Sequence, residues 1–321
     1  MILTVTANPL LELVYTRDRF EPGENNRADA FAWHAGGKGI NISRQLAALS
    51  TPSVAFLPLG GETGKILRSV LEEEKLTFSP VAVKSPVRTA SRLKENGRIT
   101  TAFGTNIPLS SSDIASCIDK LGKMIVNVEM VSFSGSVPCP EAAEIYIEGI
   151  RLAKKHDKIC FLDTYGPHLQ DCLKEAPAVL HVNSDEILPL YGKQFTDEKE
   201  MREILNDLYG YGIKQAFITN GGFLFFSSNF NFHFRVSPPL LQAKDETGSG
   251  DAFMAGIMYG WYHDMVYNDF LRLAVSLGAA NARSFDVCRV TRAEADLLAG
   301  QVSIEPAGEK IKLIDDTATF H

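Results

Sequence analysis

The 321-residue sequence has few cysteines, no long apolar run and no excess of basic residues. No apolar stretch approaches the roughly 20 residues needed to cross a bilayer. The N-terminus MILTVTANPLLELVY has neither the basic region nor the cleavage site of a signal peptide. Five scattered cysteines, without a CxxC pair or histidines at metal-ligand spacing, predict reduced structural thiols in a cytoplasmic enzyme. A net charge of −7 argues against nucleic acid or membrane as partners, so a phosphorylated small ligand would need a locally basic pocket.

Short apolar strands alternate with amphipathic helices along most of the chain, beginning with ILTVTAN and NISRQLAALS. This alternation predicts an α/β fold with a doubly wound, mostly parallel sheet that carries helices on both faces. Ligands bind at the carboxyl ends of the strands in such sheets. Polar or glycine-rich loops follow the predicted strands: NPLLE, GGET, SGSVP, DTYG, NSDE, TNGG and DETGSGD.

Residues 11–35 and 85–106 break the alternation, because they read as short strands and hairpins without a helical period. We expect them to form a small β-sheet lid beside a main domain of residues 1–10, 36–84 and 107–321. The alternative is that they are edge hairpins of the main sheet. The tail from Gln301 carries few structural signals.

Gly248, Ser249, Gly250 and Asp251 precede an apolar helix. Their backbone N–H groups and the helix dipole make a site for developing negative charge, and the carboxylate could accept a proton. Phosphoryl transfer needs both. A helix-capping role would produce the same pattern.

Two further segments contain residues suited to anionic ligands. AGGKGINIS places Lys38 among glycines before a helix, without P-loop spacing, which favours a sugar or phosphate site over a solvated lysine. In NSDE, Asn183 and Glu186 could hold Mg²⁺ through water beside nucleotide phosphates, or could form a helix capping box.

In this order, the motifs resemble those of the PfkB (ribokinase-like) carbohydrate kinase family over nearly the whole chain. NPLLE is similar to NPxxD, GGKGINIS to GGKGxNxA, SGSVP to SGSLP, DTYG to DxSG and HVNSDE to KPNxxE. DETGSGDAFMAG resembles DTxGAGDxFxAG and is the most specific match. The resemblance implies an ATP-dependent kinase with the ribokinase-like fold, a β lid and, commonly, a homodimer formed through that lid.

The resemblance also implies roles for individual residues. Asp251 would be the base, and Gly248, Ser249 and Gly250 the anion hole. Substrate would contact Glu12, Arg27, Gly37, Lys38, Asn41, Arg88, Ser136 and Asp163. ATP would lie against Asn183, Thr219, Gly221, Gly222 and Asn281. Glu186 would organise Mg²⁺ through water, and Asp245 and Thr247 stand where some members bind a monovalent cation, so K⁺ is a second candidate cofactor.

The lysine in GGKG and the opening TVTANP most resemble the 1-phosphofructokinase and tagatose-6-phosphate kinase branch, whose sugar substrate carries a phosphate. Lys38, Arg27 and Arg88 are the candidate cations, with Arg92 and Lys94 as further basic residues of the lid. Their clustering in an acidic protein fits an anionic sugar.

Three departures from the family motifs fall where sugar or phosphate is recognised: Glu12 replaces an aspartate, His181 a lysine and Ala90 an asparagine. Two alternatives therefore remain open. One is a kinase for a neutral sugar or nucleoside, and the other is a catalytically inactive sugar-phosphate or nucleotide sensor.

Overall fold

Two β-sheets of unequal size organise the computed structural model, which describes residues 1–192 and 197–308. The described strands, in chain order, are β1 (Ile2–Val5), β2 (Leu10–Thr16), β3 (Ala30–Gly36), β4 (Ser53–Leu59), β5 (Phe78–Ala82), β6 (Arg88–Glu95), β7 (Arg98–Phe103), β8 (Met130–Ser134), β9 (Ile159–Asp163), β10 (Val179–Asn183), β11 (Gln215–Thr219), β12 (Phe225–Asn229), β13 (Phe232–Ser237) and β14 (Ser303–Pro306).

The main sheet has the strand order β14-β13-β12-β11-β10-β9-β8-β1-β4-β5. The seven strands from β11 to β5 are parallel to their neighbours, whereas β12, β13 and β14 are antiparallel. β1, β8 and β9 are almost wholly buried, which matches the near-continuous apolar sequence of strands covered on both faces.

Helices cover both faces of the main sheet, as the alternation predicted. The described helices are α1 (Lys38–Ala48), α2 (Gly61–Glu73), α3 (Ser111–Ile125), α4 (Glu144–Lys155), α5 (Leu169–Lys174), α6 (Ser184–Tyr191), α7 (Glu198–Gly210), α8 (Ser249–Tyr262), α9 (Tyr267–Ala282) and α10 (Arg292–Ala299). Side chains of α3, α4, α5 and α7 build one apolar core with the sheet. Those of α1, α8 and α9 build the other. The predicted α/β class is confirmed.

Helix α8 packs between α1 and α9, and most of its residues are buried. Gly256 allows the close approach to α9, because a Cβ atom at this position would lie 2.5 Å from Cα of Ala274. Packing of this density fixes where the first turn of α8 stands, and that turn carries Asp251.

The small sheet has the order β3-β2-β6-β7 and is separate from the main sheet. Its strands come from the two segments that lacked a helical period, and β2 pairs with β6 in parallel despite their distance in sequence. The expectation of a small separate sheet is confirmed over that of edge hairpins.

The sequence from Gln301 onward carries few structural signals, yet its first residues form strand β14. β14 pairs with β13 in antiparallel register, with Val236 opposite Ile304. A four-residue edge strand has too little periodicity to be recognised in sequence. Among the described residues, no helix is long and apolar enough to cross a membrane.

Candidate active site

Asp251 lies in the first turn of α8, and its side chain is 6% exposed. Its Oδ2 atom accepts a hydrogen bond of 2.7 Å from Nδ2 of Asn41 on α1. Burial raises the pKa of Asp251 from 3.8 to about 6, although Lys38 and the Asn41 hydrogen bond oppose this shift. A carboxylate with such a pKa is ionised at neutral pH yet basic enough to accept a proton.

Gly248 caps α8 with a φ of 78°, a conformation that glycine adopts without strain. A Cβ atom at this position would also overlap Val287. The N–H of Ser249 already donates to the carbonyl of Glu246 at 3.1 Å. The amides of Gly250 and Asp251 belong to the first-turn donors that have no carbonyl partner within a helix, so they are better placed than Ser249 to meet an anion.

Asn281 was predicted to border the nucleotide, but the structure gives its side chain another place. Its Nδ2 donates to the carbonyl of Thr247 at 2.8 Å and its Oδ1 accepts from the N–H of Cys288 at 2.7 Å. The residue is 1% exposed. Asn281 therefore holds the glycine loop in place from its buried side and does not face the cavity. Its position in the motif is compatible with either role.

Lys38, Asp163 and Glu186 form a buried charge cluster at the carboxyl edge of the main sheet. Nζ of Lys38 donates to Oδ1 of Asp163 at 2.7 Å and to Oε1 of Glu186 at 3.0 Å. Burial alone would lower the pKa of Lys38, but the two carboxylates raise it above its ordinary value. The pKa of Asp163, which burial would raise, is instead lowered by Lys38 and His181. Lys38 is therefore a permanent cation here rather than a solvated surface lysine.

His181, which replaces the lysine of the family motif, lies beneath Asp163 and Gly250. Its Nδ1 is 3.2 Å from Oδ2 of Asp163, without hydrogen-bond alignment, and its Nε2 is 3.1 Å from Oγ1 of Thr219. A Cβ atom at Gly250 would lie 3.2 Å from Cε1 of the imidazole. His181 therefore lies between Asp163 at the end of β9 and Thr219 at the end of β11.

A cavity of about 430 Å³ opens between the small sheet and the main sheet. The helices and loops around the main sheet contribute Lys38, Asn41, Ser136, Tyr165 and Asp251, and the small sheet contributes Glu12, Arg88 and Arg92 among others. This volume is in the range of sites that hold small organic ligands.

Arg88 stands at the cavity wall without a carboxylate partner among the described residues. Its guanidinium makes only long hydrogen bonds, of 3.3 Å to Oδ1 of Asn106 and 3.4 Å to the carbonyl of Asn8, and its buried Nε has no partner. Ser136 is nearby, since Nδ2 of Asn8 donates to its Oγ at 3.1 Å. These unsatisfied donors are what a phosphate or carboxylate would use.

Asp245 and Thr247, the residues considered for a potassium site, are held by Arg92 of the small sheet. Nη2 of Arg92 donates to Oδ2 of Asp245 at 2.7 Å and to Oγ1 of Thr247 at 3.3 Å. Nη1 lies 3.7 Å from Glu12. A guanidinium already supplies positive charge to these oxygens, so the structure gives no support to a cation site formed by the two side chains.

The other residues predicted to contact ATP and Mg²⁺ lie at the ends of β10 and β11 or just after them. Asn183 and Glu186 form a reciprocal capping box at the start of α6, so the capping interpretation of NSDE is confirmed. Thr219 is half-buried, whereas Gly221 and Gly222 are exposed in the turn before β12. Among the described residues, no group of three or more metal-ligating side chains is placed to hold an ion.

One predicted arginine lies outside the cavity, and one arginine that was not predicted lies in its wall. Arg27 is exposed in the segment between β2 and β3 and does not line the cavity. Arg44, which sequence reasoning missed, is buried in the cavity wall and bonds Asn41. The spacing of Asn41 and Arg44, three apart on one helix, was the available signal.

Comparison with known proteins places this geometry in context. The family model described as pfkB family carbohydrate kinase matches residues 6–293. A tagatose-6-phosphate kinase of Staphylococcus epidermidis is 26% identical over 309 residues, which are 95% of this chain and 99% of the relative. A 1-phosphofructokinase of Borreliella burgdorferi is 29% identical over 290 residues, covering 90% and 94%.

The fold is shared with solved structures. The phosphofructokinase-2 of Escherichia coli, determined in complex with potassium, matches with a TM-score of 0.84 at 21% identity, covering 93% of this chain and 98% of that one. The ribokinase-like architecture expected from the motifs is thereby confirmed.

Proposed function

The chain belongs to the pfkB family of carbohydrate kinases, and from this premise we propose that it transfers the γ-phosphoryl group of ATP to a ketohexose phosphate. Fructose 1-phosphate and tagatose 6-phosphate are the two candidate acceptors, and the names of the relatives from Borreliella and Staphylococcus support this class. Both sugars carry a phosphate at one end and a free primary hydroxyl at the other.

The observation that carries the proposal is the composition of the cavity wall. Asp251 is a buried carboxylate with a raised pKa, and Arg88 in the same wall has no carboxylate partner. A bifunctional acceptor needs one group to bind its anionic end and another to take its proton. Arg92, Arg44 and Lys38 are all paired with carboxylates, and Lys94 packs over the ring of Phe285. Arg88, whose buried Nε has no partner, is therefore the best cation for the sugar phosphate.

In the proposed reaction the Asp251 carboxylate accepts the proton of the primary hydroxyl. A bond forms between that oxygen and the γ-phosphorus while the bond from this phosphorus to the β,γ-bridging oxygen breaks, and ADP leaves. The first-turn amides of Gly250 and Asp251 stabilise charge on the transferring oxygens. The ammonium group of Lys38, which pairs with Asp163 at the carboxyl edge of the main sheet, adds a fixed positive charge. Positioning and charge stabilisation supply most of the acceleration.

Asn183 and Glu186 fit an indirect role with Mg²⁺ rather than a direct cage. Each oxygen of Glu186 has one partner, Lys38 for Oε1 and the Asn183 N–H for Oε2, and each retains a free lone pair for water. When bound with ATP, Mg²⁺ neutralises charge on the β- and γ-phosphates.

We propose that the small sheet acts as the lid of this site. It contributes Glu12, Arg88 and Arg92 to the cavity wall, and Arg92 reaches across to Asp245 of the main body. Closure of such a lid would exclude water and limit wasteful hydrolysis of ATP.

A coupled assay of ADP release with a panel of acceptors tests the function. We expect turnover with fructose 1-phosphate or tagatose 6-phosphate and much lower kcat/KM with fructose 6-phosphate, fructose, ribose and nucleosides. Turnover of ribose or a nucleoside with inert hexose phosphates would favour the neutral-acceptor alternative. Background ATP hydrolysis with every acceptor would favour a sensor.

We also propose a homodimer formed through the small sheet. Phe31 and Phe103 of this sheet are each 66% exposed, and Trp33 is exposed beside them, which is an unusual density of surface aromatics. Replacing Phe31 with serine should shift sedimentation towards the monomer, because apolar burial is lost. Leu240→Ser, at the most exposed leucine of the main body, is the matched control and should change nothing. A wild-type monomer at micromolar concentration would contradict the proposal.

A further inference from the structure

A continuous line of side chains leads from the end of α2 to Asp251. Both oxygens of Glu74 accept from Arg44, with Nε at 2.7 Å and Nη2 at 3.3 Å. Nη1 of Arg44 donates to Oδ1 of Asn41 at 2.7 Å. Nδ2 of Asn41 donates in turn to Oδ2 of Asp251 at 2.7 Å. Three helices, α2, α1 and α8, are thus joined through polar side chains that are buried or nearly so.

The chemistry of the arginine fixes the direction of every bond in this line. A guanidinium has only donors, so it must face the carbonyl oxygen of the Asn41 amide. The amino group of the same amide must then point at Asp251, where it can only donate. A donor facing a carboxyl group favours its ionised form. Without the guanidinium, the amide of Asn41 could rotate and offer its oxygen to a protonated Asp251 instead.

Arg44 is itself held in one orientation. Besides Glu74 and Asn41, it donates through Nη2 to the carbonyl of Ala35 at 2.6 Å, and it is 6% exposed. Arg289 approaches the same Oε2 of Glu74 at 3.3 Å. A buried cation that donates four hydrogen bonds and is paired with a carboxylate does not reorient easily. The rigidity of the Asn41 amide therefore derives from Arg44 and Glu74.

We propose that Arg44, oriented by Glu74, is a positioning residue that locks the Asn41 amide as a donor and so keeps Asp251 in its ionised, proton-accepting form. This inference rests on the proposed function, in which Asp251 is the base. It assigns a role to two residues of the cavity wall that act on Asp251 through Asn41 rather than by direct contact.

Other charged and titratable groups also face Asp251 and have to be held constant in any test. Lys38 of α1 favours its ionised form, Asp163 of β9 opposes it, and His181 of β10 favours it. Cys288, which follows α9, is a neutral buried thiol whose pKa is raised by burial and by Asp251. None of these side chains bonds to Arg44, so substitutions at Arg44 leave their own hydrogen bonds in place.

A double-mutant cycle on the acid limb of the pH profile of kcat tests the inference. Arg44→Met should move this limb upward by about one pH unit, the size expected for a lost hydrogen bond to a charged group. The kcat should fall about 5-fold near pH 6 and recover towards wild type near pH 8. Asn41→Ala should shift the limb similarly, and Arg44→Met with Asn41→Ala should shift it no further. The sugar phosphate also ionises, but its effect on the acid limb is the same in every variant and cancels when the variants are compared.

Three results would overturn the inference: an unmoved acid limb in Arg44→Met, an equal loss at every pH, or additive shifts in the cycle. Arg235→Met, which removes the ion pairs to Glu198 and Glu305 far from the line, is the matched control and should leave the limb unchanged. Should Arg44→Met fail to fold, Arg44→Met combined with Glu74→Met removes both buried charges and carries the same expectation.

A second readout separates this inference from the proposed function. The pH dependence of the difference in unfolding free energy between proteins with Asp251 and with Asp251→Asn reports the pKa of Asp251 without any turnover. Adding Arg44→Met to both proteins should raise that pKa. An enzyme inactive with all acceptors would refute the function, whereas an unchanged pKa would refute the role of Arg44.

Discussion

The site has an acceptor half, with the residues proposed to serve the sugar, and a nucleotide half, with the residues proposed to border ATP. The two halves differ in how firmly contacts within the protein hold them. In the acceptor half, Lys38, Asp163 and Asp251 are held by hydrogen bonds and ion pairs within the protein. In the nucleotide half, Gly221 and Gly222 are exposed, and a Cβ atom at either position would meet open space. The groups proposed to do chemistry are thus oriented by contacts within the protein, whereas the two glycines proposed to border ATP face solvent.

This difference follows from the cost of burying charge. A buried carboxylate or ammonium group is tolerated only when its partners are fixed, so the acceptor half must be rigid to exist at all. Backbone amides in an exposed turn are satisfied by water until a ligand replaces it. Rigidity in one half and adaptability in the other are therefore both consequences of solvent access.

The largest effect that tests this difference between the two halves is on the stability of the folded protein. Because the pKa of Asp251 is raised from 3.8 to about 6, the folded state binds this proton more tightly than the unfolded state. The bound proton contributes to the free energy of unfolding below pH 3.8, and this contribution is lost as the pH rises through 6. The loss amounts to about 3 kcal/mol. Asp251→Asn should therefore be more stable than wild type by about this amount at pH 8, with the gap closing towards pH 4. Urea unfolding at both pH values measures it.

A wild type as stable as Asp251→Asn at pH 8 would show that the carboxylate is not desolvated in the folded protein. The preorganised character of the acceptor half would then lose its main support.

The next effect concerns the cation of the acceptor half. Arg88→Met should lower kcat/KM for the hexose phosphate about 100-fold, mainly through KM, because charge-assisted bonds to phosphate are lost. Arg27→Met is the matched control, since Arg27 is exposed and outside the cavity. Initial rates over a range of acceptor concentrations measure both variants. Similar losses in the two, or a loss confined to Arg27→Met, would place the phosphate elsewhere.

The smallest effect probes the nucleotide half. Glu186→Gln keeps the capping box, because glutamine can also reach back to the Asn183 N–H, but removes the charge. The Mg²⁺ concentration for half-maximal activity should rise about 10-fold, as for residues that hold a metal through water. Asp185→Asn, at the exposed neighbour in the same turn, should leave it unchanged. An unaltered Mg²⁺ requirement in Glu186→Gln would mean that this residue caps α6 and pairs with Lys38 but does not serve the metal.

Sequence reasoning could place the acceptor half because its residues end neighbouring parallel strands or begin helices. Asp163 at the end of β9 and Lys38 at the start of α1 meet for this reason. The same reasoning missed Glu74, because EEEK at the end of α2 is typical of a solvated surface and only the fold brings it onto Arg44.

Contacts between side chains far apart in the sequence could not be predicted either. Arg92 and Asp245 were each singled out, for phosphate and for potassium, yet the structure pairs them with each other. Nothing local in either segment encodes that contact, since it depends on how the small sheet sits over the loop before α8. Asn281 is similar, because its motif position fits both a nucleotide contact and the buried contacts that the structure has.

The central claim is that the carboxylate of Asp251 takes the acceptor proton, and the activity of Asp251→Asn tests it most directly. With saturating MgATP and the hexose phosphate that wild type uses, kcat should fall about 1,000-fold while the protein folds and binds ATP as before. Turnover of Asp251→Asn above about a tenth of the wild-type rate would contradict the account.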